Sequence, residues 1–120
     1  MTAATALQAA LAAVAAQDGV DGCALVDLAT GMVLQWVGPP DHLPVAEAAS
    51  DYWRLCDRQK AFAVLGAPRA QVIIHAHKRV TIVRCGEGLL LVTVSDENVA
   101  VDWARWKRST GELHALAGAL

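Results

Sequence analysis

A chain of 120 residues that is 55% hydrophobic and 18% charged has the length of one domain and enough apolar surface to offset the entropy of ordering it, which excludes an intrinsically disordered segment. Ten basic residues stand against twelve acidic ones, a formal charge of -2, so no long-range field gathers a polyanion and no nucleic-acid partner is expected. No apolar run approaches the about 20 residues of a membrane-crossing helix, and Cys23, Cys56 and Cys85 are too few and too scattered for a disulfide framework, so free thiols in the cytoplasm, away from any membrane, are the expectation.

Residues 3–16 carry Leu7, Leu11 and Val14 at helical spacing on one face. The stretch resembles the apolar part of a signal peptide, but no Lys or Arg precedes it, and it is read as a structural amphipathic helix. Gln17-Asp18-Gly19 breaks that pattern, and residues 22–28 follow as a run that is apolar in both parities, the mark of a strand covered on both faces. Ala29-Thr30-Gly31 turns it into a second strand over 32–37 that pairs back antiparallel. Pro39, Pro40 and Pro44 remove backbone donors across 38–44 and predict a loop. Val45, Ala48, Ala49, Tyr52, Leu55, Cys56 and Ala63 then trace a helical stripe, while Glu47, Asp51, Arg54, Asp57, Arg58 and Lys60 occupy much of the remainder. That spacing predicts one long helix over 45–65, ended by Gly66 and closed off by Pro68.

Three strands follow, over 70–76, 79–85 and 89–94. The first pair turns near His77 and Lys78, and the second through Gly86-Glu87-Gly88, where glycine can take the positive φ of a tight hairpin. Leu89 to Val92 is apolar in both parities and belongs beside the first strand at the sheet centre. Ser95, Asp96, Glu97 and Asn98 offer capping groups for a last helix from Val99 onward, interrupted or frayed near Gly111. No repeat or linker divides the chain, so a single domain over 1–120 is expected. The fold class is α+β: a five-stranded antiparallel sheet with helices on both faces, in the order α-β-β-α-β-β-β-α.

Two segments resemble a known family. Gly19-Val20-Asp21-Gly22-Cys23-Ala24-Leu25-Val26-Asp27 with Thr30-Gly31 looks like the opening strand and turn of the roadblock (dynein light chain) family, a profilin-like fold. Gly88-Leu89-Leu90-Leu91-Val92-Thr93-Val94 with Asn98-Val99-Ala100 looks like its final strand and helix start. The order and spacing of elements extend the resemblance over essentially the whole chain, which departs from the family in its four tryptophans and its Pro39-Pro40 loop. The resemblance implies a non-catalytic module, a homodimer or a heterodimer with a paralogous roadblock-like chain, in which the strand after the long helix pairs with its mate and the two long helices pack together. Carried onto this sequence, the pairing edge is 71–75 and the packed helix 45–65, with Ala49, Tyr52, Trp53, Cys56, Gln71, Ile73 and His75 at the interface. It further implies a scaffold or regulator of a small Ras-like GTPase, or of a motor or signalling complex; some bacterial members stimulate a partner GTPase without supplying catalytic residues.

The residues that could carry chemistry point the same way. No glycine-rich turn ends in Gly-Lys-Ser/Thr, and Gly86-Glu87-Gly88 places an acid where a phosphate would sit, so no nucleotide and no other cofactor is expected. His75 and His77, two apart in a predicted strand, would face one way, but Lys78 and Arg79 beside them disfavour a cation. Cys23 and Cys85 lie in apolar strands as core fillers, and Cys56 belongs to the helical stripe, so no catalytic nucleophile is assigned. Trp103 and Trp106 dock the last helix on the sheet and leave Arg105, Lys107 and Arg108 in water. Tyr52 and Trp53 are neighbours on a helix, so one packs on the sheet while the other faces a partner. The alternative is a profilin-like or PAS-like ligand sensor, which requires Trp36, Phe62 and the histidines to converge on a cavity.

Overall fold

Why the chain folds as it does is visible from its first turn in the computed structural model, which describes residues 2–118. Thr2 accepts the Thr5 amide at 3.2 Å and caps α1 (Ala3–Ala15), whose Leu7, Leu11 and Val14 are buried. β1 (Val20–Asp27) and β2 (Val33–Val37) form the expected antiparallel hairpin, its turn tightened by the Gly31 amide on the Asp27 carbonyl at 2.7 Å. The proline segment is more ordered than a loop. It forms a 3-10 turn, Pro40–His42, and leads into α2 (Leu43–Arg58), which takes Pro44 in its first turn, where a missing N–H leaves no bond unmade.

α2 stops at Arg58, because Gln59 is extended (φ -76, ψ 109), and the chain resumes as a separate 3-10 helix, Lys60–Leu65. The single helix expected over 45–65 is therefore corrected to two pieces. A helix in a small domain holds mainly because one face is packed, and every residue from 57 to 67 is exposed. Gly66, at φ 85, still ends the segment.

β3 (Ala70–Ile74), β4 (Lys78–Arg84) and β5 (Leu89–Asp96) complete one antiparallel sheet in the spatial order β2-β1-β5-β4-β3. β5 is central and β1 lies beside it, as the two-sided apolar runs require; Leu25 stands opposite Leu91, and Val92 opposite Ile82. One face packs Cys23, Leu25, Cys85 and Leu91 against α1 and α3 (Trp103–Ala117), and the other packs Ala24, Val26, Ile82 and Val92 against α2. α3 begins later than the sequence suggests. Its cap is Asp102, which accepts the Arg105 amide at 3.0 Å, because Ser95 and Asp96 are drawn into β5. Nor does Gly111 interrupt it: Trp106 and Leu113 anchor the helix on either side, and among the described residues no neighbour lies within 4 Å of where a Cβ would stand.

Candidate docking face

β3 is an edge strand, and its register decides which of its groups are free. The His75 amide donates to the Lys78 carbonyl at 2.8 Å where the β3–β4 hairpin closes. Bonded and non-bonded pairs alternate in an antiparallel ladder, so Ile73–Val80 and Gln71–Ile82 are the bonded pairs, and the N–H and C=O groups of Val72 and Ile74 point to the open edge. The side chains of Val72 and Ile74, 54% and 61% exposed, lie on the α3 face, opposite Thr81 and Arg79. Gln71 and Ile73 face α2, and Gln71 ties the strand to that helix by donating from Nε2 to the Tyr52 carbonyl at 3.1 Å.

α2 carries two apolar stripes. Ala46, Ala49, Ser50 and Trp53 are buried against the sheet, whereas Val45, Ala48, Tyr52 and Leu55 stand exposed on the flank toward β3, with Cys56 half-buried beside them. Between this ridge and the edge strand runs a groove. On one side of Tyr52 it opens to about 650 Å³ over Val45, Ala48, His75 and Val80; on the other it holds about 340 Å³ over Leu55, Cys56, Phe62 and Ile73.

Of the residues expected at an interface, Tyr52, Cys56, Gln71, Ile73 and His75 line this groove. Ala49 and Trp53 do not. At 1% and 0% exposure they are spent within the protomer, Trp53 beneath the Arg84 guanidinium 5.7 Å from its ring, and a side chain packed on its own sheet cannot also meet a partner. Val45, Ala48, Leu55, Val72 and Ile74 lie within the expected edge 71–75 and helix 45–65 but are not named among the interface residues; they are exposed beside the groove. The signal for them was present: the helix has more apolar residues than one stripe accommodates, and 72–74 are apolar in both parities.

The remaining candidates fall elsewhere. β3 ends at Ile74, so His75 and His77 occupy the turn rather than a strand face, and among the described residues no three His, Cys, Asp or Glu side chains gather as a metal site. Burial pushes the Cys23 thiol up to about 12 and the Cys85 thiol to about 11, and Cys23 Sγ donates to the Leu11 carbonyl at 3.2 Å. Trp106 is buried and donates from Nε1 to Thr93 Oγ1 at 3.1 Å; Trp103 meets it edge-on at 5.3 Å and carries the Arg79 guanidinium at 5.6 Å. Arg105, Lys107 and Arg108 are in water. Trp36, on the edge opposite β3, donates to the Pro39 carbonyl, and Phe62 lies beyond α2, so neither converges with the histidines on one cavity. Beside the groove, Lys78 Nζ reaches Asp21 at 2.8 Å and Asp96 at 3.4 Å. The Asp21 bond holds the ammonium above its ordinary value, while the Asn98 amide and then Lys78 hold the Asp96 carboxyl below its own.

The element order, the sheet order and the helices on both faces are those of the roadblock/LC7 fold. The structure superimposes on a roadblock/LC7 domain from Streptomyces avermitilis with a TM-score of 0.74 and 18% identity, over 90% of this chain and 91% of that one. It is similar to the gliding protein MglB from Thermus thermophilus, with a TM-score of 0.78 and 18% identity over 99% and 90% of the two chains. An MglB in a tetrameric arrangement gives 0.77 and 21% identity over 98% and 89%. No protein-family model matches the sequence, and no curated protein matches it. No helix among the described residues is long and apolar enough to cross a membrane.

Proposed function

We propose that this chain is a dimeric, non-catalytic protein-interaction module that regulates or scaffolds a small Ras-like GTPase or a motor or signalling complex, paired with itself or with a paralogous roadblock-like chain. The observation that carries the reading is the bare edge of β3 beside the exposed ridge Val45, Ala48, Tyr52 and Leu55. An uncovered strand is a template for strand addition, and contiguous exposed apolar side chains are usual at association surfaces. Tyr52 supplies the aromatic anchor, and Cys56, Gln71, Ile73 and His75 extend the contact around it. A gliding protein and a tetrameric MglB among the similar structures agree with a module that works by assembly. The reading also places the protein in the cytoplasm.

Light scattering across a range of concentrations tests the dimer, which is expected at twice the chain mass; a monomer at every concentration rejects it. For the GTPase role, hydrolysis and nucleotide exchange by Ras-like GTPases from the same cell are measured with and without the protein. A change in either rate, or stable co-elution, is expected, and unchanged rates without co-elution remove that role.

A further inference from the structure

Residues 57–67 make an excursion between α2 and β3 in which every residue is exposed, and it carries Phe62, Val64 and Leu65 at 45%, 89% and 78% exposure. Phe62 borders the narrower part of its own groove, whereas Val64 and Leu65 stand almost wholly in water, and a six-residue 3-10 helix has little stability of its own. At the opposite end of the gap between α2 and β3 lies the wider groove, with Val45, Ala48, Tyr52, Val80 and Val94 in its lining. Lys78 at its rim is already matched by Asp21 and Asp96, so this end has apolar walls and a neutralised lysine.

Within one protomer the two features cannot meet, because the excursion enters β3 at Ala70 and the groove lies where the strand leaves at His75; five residues of strand, about 17 Å, separate them. Antiparallel pairing of two bare edges reverses one strand against its mate. With the outward-facing amide of Val72 at the two-fold axis, Ala70 of one copy stands opposite Ile74 of the other, and Arg69 opposite His75. Each excursion is thereby carried to the groove of the second copy.

We infer that Lys60–Leu65 is an exchanged arm, whose Val64 and Leu65 fill the groove over Val45, Ala48 and Val80 of a second copy of this chain. The inference rests on the self-pairing of β3 proposed above. It assigns a role to an exposed apolar segment and a filler to an open groove with one contact, and it leaves two such contacts in every symmetric dimer.

Directed cross-linking tests it. In a Cys56→Ser background, Val64→Cys and Val45→Cys are made in separate chains, mixed and gently oxidised; Cys23 and Cys85 are buried. The 64–45 link is expected to dominate over both self-links, and Val64→Asp with Leu65→Asp is expected to weaken the dimer at least tenfold with the urea midpoint of the monomer unchanged. A dimer by light scattering in which the 64–45 link is no more frequent than the self-links overturns the arm and leaves the interaction module standing. Absence of any dimer overturns both, and the two failures are told apart by that one measurement.

Discussion

Proline at position 72 separates what β3 does for its own protomer from what it does for a partner. The Val72 amide points away from β4 and its side chain is half in water, so Val72→Pro removes no bond from the β3–β4 ladder and little buried surface. Stability of the isolated fold is expected to change by no more than about 1 kcal/mol. In a dimer paired through this edge, the same change deletes one inter-chain bond from each copy. At about 0.5–1.5 kcal/mol net per bond, two lost bonds weaken association by about 1–3 kcal/mol, or about 5-fold to 150-fold in Kd. Ile73→Pro is the control: its amide belongs to a bonded pair with Val80 and its side chain packs toward α2, so it is expected to lower the unfolding free energy by about 2 kcal/mol or more. Sedimentation equilibrium reads the first effect and urea unfolding the second. If Val72→Pro dimerises as tightly as the parent, or destabilises the fold as much as Ile73→Pro, the assignment of the free edge is wrong.

Four further outcomes follow from the interior and the ion cluster. Thr93→Val strands the buried Trp106 indole N–H without its acceptor and is expected to cost about 1–3 kcal/mol in urea unfolding. Gly31 sits at φ 75, and a Cβ there would stand 3.0 Å from the Ser50 hydroxyl and 3.2 Å from the Arg54 guanidinium, so Gly31→Ala is expected to lower the urea midpoint by an amount equivalent to about 1–2 kcal/mol or more. Native thiol titration is expected to find Cys56 as the one fast thiol, slowing as concentration drives pairing, while Cys23 and Cys85 react only on unfolding; fast Cys56 modification with the dimer intact contradicts its place in the interface. Asp96 is held low, so its contribution is present above the ordinary carboxylate range and lost as pH falls through its lowered value. Lys78 is held high, so its contribution is present below the ordinary lysine value and lost only as pH rises through the raised one. Lys78→Met is therefore expected to remove this cluster's contribution to the alkaline limb of a pH–stability curve and to reduce the acid limb only in part, because the Asn98 amide still holds Asp96 low.

Local pattern was enough for the parts of this fold whose physics is local. Leu7, Leu11 and Val14 point one way on any helix, Gly86 and Gly88 adopt the positive φ of a tight turn, and strands apolar in both parities, such as β1 and β5, have to be sandwiched. The element order and the sheet's central pair follow from those constraints.

The exposed ridge of α2 and the free edge of β3 depend on packing rather than on local pattern. α2 bears apolar residues on two flanks, and periodicity alone does not say whether the Trp53 side or the Tyr52 side meets the sheet; the larger ring fits under the helix beside Ser50 and against Arg84, which leaves Tyr52 outside. Residues 60–65 continue the helical spacing, yet each of them is exposed and none is buried on a neighbouring surface among the described residues, so they leave the α-helix. Which amides of β3 face outward depends on where the His75–Lys78 hairpin closes, a contact between strands. Spacing along a chain selects the elements; their burial, their ends and their free edges are set by what each one packs against.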